Sequence, residues 1–214
     1  MALFVLVPGA GGMAWYWHRV VPLLGAAGHQ AIAVDLPGDD RDAGLAAYAD
    51  IVIHAIAERS DVILVAQSLA GFTAPLVCAR APVRMLVFVN AMIPKPGETA
   101  GEWWSATGAT EAREKTAARR GYTKEFDMTT YFLHDVPHSV LRTGPEQLRD
   151  EADTISASPA ALSTGPTSPF MFWREEMTAV SRSNFNDVSR VKGLERTYSK
   201  FPAVISSRCR MPKD

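Results

Sequence analysis

Short apolar segments alternate with helical patterns over the first 90 residues of the chain. Four runs of mostly aliphatic residues have the length and composition of buried strands: residues 3–7, 30–35, 62–66 and 85–89. Three intervening segments carry apolar residues at helical spacing: residues 15–27, 44–58 and 69–79. The resulting order β-α-β-α-β-α-β predicts an α/β fold with a mostly parallel sheet flanked by helices.

The strand pattern ends at Asn90, and polar helical stretches take over. They predict a helical cap over the sheet at residues 91–155, after an N-terminal core part at residues 1–90. From residue 156 to 214, Ser, Arg and Pro are frequent and neither helical nor alternating periodicity is sustained. We therefore expect residues 156–214 to be an aberrant, poorly ordered segment in which the last core strands are missing.

The third predicted strand runs directly into Ser68 and then into a helix. This context is typical of a nucleophile elbow, in which small residues two positions before and after the serine permit a sharp turn. Here those residues are Ala66 and Ala70, where glycine is usual. Ser68 is therefore the candidate catalytic nucleophile, and the alternative is an ordinary helix N-cap serine.

A glycine-rich loop, residues 8–12, follows the first predicted strand. A tetrahedral acyl-transfer intermediate needs two backbone N–H donors, one from the residue after the nucleophile and one from a neighbouring loop. We expect Leu69 and Ala10 to supply this oxyanion hole. The alternative is a phosphate-binding turn, but no P-loop pattern is present and Pro8 interrupts a dinucleotide fingerprint.

The segments FVLVPGAGGMAWYW at residues 4–17 and AVDLPG at residues 33–38 carry a family resemblance. Over residues 3 to about 160 the chain is similar to the methylesterase and hydroxynitrile-lyase branch of the α/β hydrolases. The resemblance implies a Ser, Asp, His triad, no cofactor, and a small ester or cyanohydrin substrate bound under a helical cap. Pro8 replaces the family's usual histidine, and Gly9 stands where the lyases carry a threonine, which favours an esterase.

The residues expected to contact the substrate are Gly9, Gly11, Gln67 and, in the cap, Trp103. An aromatic residue such as Trp103 is as compatible with packing in the cap as with a substrate contact.

The acid and the histidine of an α/β-hydrolase triad follow the serine, near the end of the chain. After Ser68 the only histidines are His134 and His138, and the last third of the chain has none. Their four-residue spacing could suggest a metal, but Pro137 breaks the helix that would align them, so we expect surface or cap residues and no metal site. Without a base, Ser68 is a weak nucleophile.

A shifted reading frame would explain the missing acid and base. Overlapping codons, made from the third base of one codon and the first two of the next, must encode aspartate at residues 177–178 and valine at 171–172. With allowed bases elsewhere, residues 164–178 become Trp-Pro-Asp-Val-Pro-Ile-His-Val-Leu-Ala-Gly-Arg-Asp-Asp, and residues 200–208 become Val-Pro-Gly-Gly-His-Leu-Val-Ala. These resemble the family's acid and histidine motifs, so we place a shift near residues 161–164. The alternative is a divergent natural C-terminus.

The charge and composition of the chain limit the classes of binding partner that we expect. The 22 basic and 23 acidic residues give a net charge of −1, so no field attracts nucleic acid or an anionic membrane. We expect a small uncharged molecule as the partner. Cys78 and Cys209 lie far apart and the apolar start has no basic lead, which favours a cytoplasmic location. The oligomeric state is left open.

The expected function is a serine carboxylic-ester hydrolase for a small uncharged ester, impaired here by loss of the triad Asp and His. One alternative is a lyase of the hydroxynitrile-lyase type on the same scaffold. The other is a non-catalytic small-molecule binder or inactive gene product that uses only the pocket.

Overall fold

A computed structural model describes residues 1–160 and, as backbone only, residues 170–173. Its centre is a sheet of five parallel strands in the order β2-β1-β3-β4-β5. The strands are β1 (Leu3–Val7), β2 (Gln30–Ala33), β3 (Val62–Gln67), β4 (Met85–Val89) and β5 (Phe170–Trp173). The predicted α/β fold with a parallel sheet is confirmed.

Eight α-helices lie within the described residues. Three of them connect the first four strands: α1 (Val20–Ala26), α2 (Leu45–Ile56) and α3 (Ala70–Arg80). Five shorter or more polar helices follow β4: α4 (Ala100–Ala106), α5 (Ala109–Arg120), α6 (Met128–Phe132), α7 (His138–Leu141) and α8 (Asp153–Ala157). The helical content expected for residues 91–155 is therefore present.

The core lies on both faces of β1 and β3. On one face, Leu64 of β3 packs with Val52 of α2 and Val77 of α3, and all three are fully buried. On the other face, Leu6 and Val65 pack against residues that include those of α1. Burial on both faces explains the unbroken apolar runs in the sequence, because each such side chain contributes about 1.5–3 kcal/mol when removed from water.

The strand register brings three loops to one edge of the sheet. Val7 at the end of β1 pairs with Ala66, and Gln67 at the end of β3 pairs with Val89. The loops after β1, β3 and β4 therefore leave the sheet side by side at its carboxyl edge. Open α/β sheets bind ligands at this edge.

The expectation that the last core strands are missing is wrong for residues 170–173. Their backbone forms β5, which pairs in parallel with β4 from Leu86 to Val89. The sequence is Phe-Met-Phe-Trp, an apolar run of only four residues that is too short to produce a periodic pattern. The proposed shift at residues 161–164 and the remaining tail segments lie outside the described residues.

The close packing of α3 generates the first prediction. A Cβ added to Gly71 would lie 1.9 Å from the backbone oxygen of Met92, so Gly71→Ala should destabilise the fold by about 1–3 kcal/mol through overpacking. Gly25 in α1 is the control, because an added Cβ there meets nothing within 4 Å. Gly25→Ala should stabilise by about 0.5–1 kcal/mol. Urea unfolding followed by circular dichroism measures both, and equal effects would contradict the packing described.

Candidate active site

Ser68 lies in a left-handed turn between β3 and α3. Its φ of +52° is a conformation that few non-glycine residues adopt, and it costs about 1–3 kcal/mol. Such strain persists only where neighbouring groups hold the backbone in place. Here the Ser68 N–H donates to the oxygen of Val89 at 3.1 Å, and the Ser68 carbonyl accepts from Met92 at 2.9 Å and Gly71 at 3.1 Å.

These contacts match the strand, turn and helix arrangement of a nucleophile elbow. An N-cap serine would instead have an extended backbone and a side chain that accepts from the first turn of the helix. The residue at the N-cap of α3 is Leu69, with no side-chain capping bond. The N-cap interpretation of Ser68 therefore does not fit the geometry.

The glycine loop packs directly on Ser68. A Cβ added to Gly9 would lie 2.8 Å from the Ser68 Cβ and 3.3 Å from its Oγ, so no larger residue fits without displacing the serine. The Gly9 N–H donates to the Gln67 Oε1 at 3.1 Å, and the Gly9 carbonyl accepts from the Gly12 N–H at 3.1 Å. The loop is thus held at Gly9 from both sides.

The amides of Ala10 and Leu69 are the two that the sequence analysis predicts for an oxyanion hole. Neither donates a hydrogen bond to an acceptor in the part of the chain that the structure describes. In a trans peptide the N–H points away from the carbonyl of the preceding residue. Because Gly12 binds the Gly9 carbonyl, the Ala10 N–H points to the opposite side of that peptide.

The other predicted substrate-binding residues contact the protein itself. The Gln67 side-chain oxygen binds Gly9, so it braces the loop. The Trp103 indole N–H donates to the Ile93 oxygen at 3.0 Å, and the ring packs against the main core. Gly11 has a φ of +79°, and an added Cβ would lie 2.2 Å from the Arg149 oxygen. Direct substrate contacts by these residues stay predictions.

The five histidines of the chain all lie within the described residues, and none forms a hydrogen bond with Ser68. His18 binds the Trp15 oxygen and His29 accepts from the Ala2 amide. The other three are exposed: His54, His134 and His138. The placement of His134 and His138 on the surface agrees with the expectation from sequence. No group of three or more potential metal ligands occurs among the described residues.

Sequence reasoning missed Glu151, a half-buried carboxyl group beside the glycine loop. Its Oε2 accepts from the Gly11 N–H at 2.6 Å, and its Oε1 accepts from the Tyr48 hydroxyl at 2.7 Å. Burial raises the pKa of Glu151, although the hydrogen bonds from Tyr48 and Gly11 and the nearby Arg149 act in the opposite direction. Burial, followed by the bond to Glu151, raises the pKa of Tyr48 above its ordinary value.

Comparisons with known proteins agree with this fold. The model of the alpha/beta hydrolase family matches residues 4–199, so the chain belongs to that family. Methyl jasmonate esterase 1 of Vitis vinifera is 28% identical over 205 residues, which cover 88% of this chain and 76% of the relative. The probable esterase PIR7A of Oryza sativa subsp. indica is 36% identical over 110 residues, 46% of this chain. That match spans only 42% of the rice protein's length.

A solved structure also shares the fold. It is an extracellular alpha/beta-hydrolase from a Paenibacillus species, described as sharing structural and functional homology with tobacco salicylic acid binding protein 2. The TM-score is 0.61 at 16% identity, and the match covers 80% of this chain and 77% of the other. At this identity the likeness concerns the fold alone.

Among residues 1–160 and 170–173, no helix has the length and apolar character needed to cross a bilayer.

The raised pKa of Glu151 generates a prediction for stability. A protonated Glu151 favours the fold, and this contribution is complete below the ordinary pKa of 4.5 and is lost as the pH rises through the raised value. Relative to Glu151→Gln, the wild-type free energy of unfolding should therefore fall as the pH rises from below 4.5 through the raised pKa of Glu151. Urea unfolding of both proteins at a series of pH values measures the difference.

Glu146 supplies the control for this titration, because it is exposed and forms no hydrogen bond within the described residues. Glu146→Gln should change the free energy of unfolding less than Glu151→Gln does, because no hydrogen bond of the described residues is lost. A stability difference between wild type and Glu151→Gln that stays constant with pH would contradict the assignment.

Proposed function

We propose that this chain is a serine carboxylic-ester hydrolase for a small uncharged ester, impaired in turnover by loss of the triad Asp and His. The observation that carries the proposal is Ser68 in a left-handed strand-to-helix turn beside two amides with no acceptor in the described chain. The names of the relatives in rice and Vitis, both esterases, support the same reaction class.

The proposed reaction uses Ser68 and the amides of Ala10 and Leu69. The Ser68 Oγ attacks the ester carbonyl carbon, and the carbonyl oxygen becomes an anion that the N–H groups of Ala10 and Leu69 stabilise. Collapse of this intermediate expels the alcohol and leaves an acyl-enzyme, which water then hydrolyses. Each stage needs a base to take a proton from the serine or the water.

The base is the component that we do not find. No histidine of the chain binds Ser68, and none follows His138 in the sequence. The segments that would carry the acid and the histidine in the alternative frame lie outside the described residues, apart from the backbone of β5. The lack of any histidine after His138 in the sequence supports impaired turnover, and the shifted frame is our explanation for that lack.

Two other functions remain as alternatives. Gly9 in place of the lyases' threonine argues against a hydroxynitrile-lyase reaction. A non-catalytic binder is favoured by the missing base. We also propose a cytoplasmic location and no cofactor. We expect no nucleic-acid or membrane partner, because the net charge of −1 provides no attraction to polyanions.

The proposal predicts the kinetics of the chain. Without the triad base, only the oxyanion hole and binding accelerate the reaction, a loss of roughly 10⁴ or more in turnover. Hydrolysis of p-nitrophenyl acetate, followed by absorbance, should be barely above the uncatalysed rate. Ser68→Ala should change it little. Vigorous hydrolysis that depends on Ser68 would show that a base is present, with His134 and His138 the first residues to replace.

The frame-shift hypothesis predicts a gain of activity. Restoring the alternative frame after about residue 163 should add the acid and the histidine, and both p-nitrophenyl acetate hydrolysis and its dependence on Ser68 should return. Resequencing the gene across codons 155–170 tests the same hypothesis directly. A restored protein that folds but stays inactive would favour the non-catalytic binder.

A further inference from the structure

A short segment after the cap, residues 149–152, ties together the loops that follow β1 and β2. We call it the return segment. The Arg149 guanidinium binds Asp35 at 3.0 Å and also donates to the Leu36 oxygen, both in the loop after β2. The Ala152 N–H donates to the Gly38 oxygen at 2.7 Å in the same loop. The return segment is therefore held by the loop after β2, through bonds that do not involve the glycine loop.

Glu151 extends from this segment to the glycine loop. It accepts the Gly11 N–H at 2.6 Å with one oxygen and the Tyr48 hydroxyl at 2.7 Å with the other. A charged acceptor forms shorter and stronger hydrogen bonds than a neutral one. Tyr48 lies on α2 and is almost fully buried, so it holds the carboxylate in one orientation.

Gly11 packs closely against the return segment, and its only hydrogen bond from the backbone N–H in the described chain is the one to Glu151. Its backbone approaches the Arg149 oxygen so closely that an added Cβ would lie only 2.2 Å from it. Ala10 precedes Gly11 and follows Gly9, whose N–H is bound by Gln67. The Ala10 N–H has no acceptor in the described chain. Its direction therefore depends on Gly9 and Gly11, which are held on either side of it.

We propose that Glu151, oriented by Tyr48, is a positioning residue of the oxyanion hole. By holding the Gly11 N–H it aims the Ala10 N–H at the carbonyl oxygen of an ester at Ser68. The inference rests on the proposed function, because it assigns Glu151 a role in the reaction that Ser68 begins. It also predicts that the return segment, 140 residues away in sequence, controls reactivity at Ser68.

The electrostatics of the site are consistent with this role. Two titratable groups face Glu151: Tyr48 from α2, and Arg149 from the return segment itself. Asp35 and Asp39 from the loop after β2 bind Arg149. Burial raises the pKa of Glu151, so its carboxylate gains a proton at a higher pH than an exposed one would. Protonation weakens its ability to accept from Gly11 and Tyr48 together.

The test measures the rate at which a fluorophosphonate labels Ser68 in the full chain, by intact-protein mass spectrometry. The Ser68 Oγ displaces fluoride at phosphorus and its proton passes to solvent, so one slow event is recorded without turnover. Glu151→Ala should slow labelling about 10- to 100-fold, the cost of misplacing an oxyanion donor. Glu151→Gln should recover most of the rate at neutral pH, because its amide oxygen still accepts from Gly11.

Matched variants separate positioning from general damage to the fold. Glu146→Ala, an exposed residue in the same part of the chain, should label at the wild-type rate. Tyr48→Phe should slow labelling less than Glu151→Ala does. As acidification protonates Glu151, the wild-type rate should fall toward that of Glu151→Gln, which keeps one neutral acceptor and should lack this step. Equal rates and pH profiles in all these proteins would overturn the positioning role.

A second measurement keeps this inference distinct from the proposed function. In ¹H–¹⁵N spectra of the full chain, Glu151→Ala should move the Gly11 amide proton upfield, speed hydrogen exchange at Gly11 and shift the amide resonance of Ala10. If the amide chemical shifts and exchange rates of Gly11 and Ala10 do not change, the proposal is overturned whatever the labelling rate shows. If the amides respond but wild-type protein labels no faster than Ser68→Ala, then Ser68 is not a nucleophile. In that case the proposed function fails, and the role of Glu151 in the reaction is overturned with it.

Discussion

The left-handed backbone of Ser68 is the constraint on which the rest of the site depends. A serine gains nothing locally from a φ of +52°, so neighbouring backbone must enforce it. The end of β4 does so, because Val89 takes the Ser68 N–H and Met92 binds its carbonyl. The turn thus requires β3 and β4 to end in register, and this register follows from the continuous burial of both strands.

The glycine loop adds a second constraint, which concerns space. An added Cβ at Gly12 would lie 2.5 Å from the Leu36 oxygen, and one at Gly38 would lie 2.5 Å from the backbone of Gly11. The loops after β1 and β2 are therefore interlocked through backbone contacts that leave no room for side chains. The return segment binds both loops, through Glu151 to Gly11 and through Ala152 to Gly38. Small displacements of any one loop would be transmitted to the other two.

Features that depend on a local pattern of residues, such as the buried strands and the Ser68 turn, could be predicted from the sequence. Strands β1, β3 and β4 were placed within one residue of their observed ends, since burial on both faces produces an unmistakable apolar run. The Ser68 turn was predictable because the strand passes into a helix with no spacer. The segment that became β5 was missed, because four apolar residues after a proline lie below the length of any periodic window.

Contacts between distant residues could not be predicted in this way. Glu151 meets Gly11 and Tyr48 across more than 100 residues, and nothing in the surrounding polar segment distinguishes it from Glu146. The pairing of Gln67 with Gly9 was likewise unforeseen, since the sequence suggested a substrate contact for both. A carboxylate that serves a backbone amide has no sequence signature, whereas a nucleophile in a strand-to-helix turn does.

On the proposed function, the distribution of these contacts would allow the Ser68 turn to form without the triad histidine. The backbone hydrogen bonds at Ser68 come from β4, α3 and the loop after β4, all before residue 93. The glycine loop is held by Gln67 and by the return segment, which ends at residue 152. On the proposed function, a frame shift near residue 161 would remove the acid and the base but none of the described residues that form a hydrogen bond with Ser68, Gly9 or Gly11. It would change the sequence of β5, whose backbone pairs with β4. On that proposal, the hydrogen bonds that hold Ser68 and the groups that would activate it come from different parts of the chain.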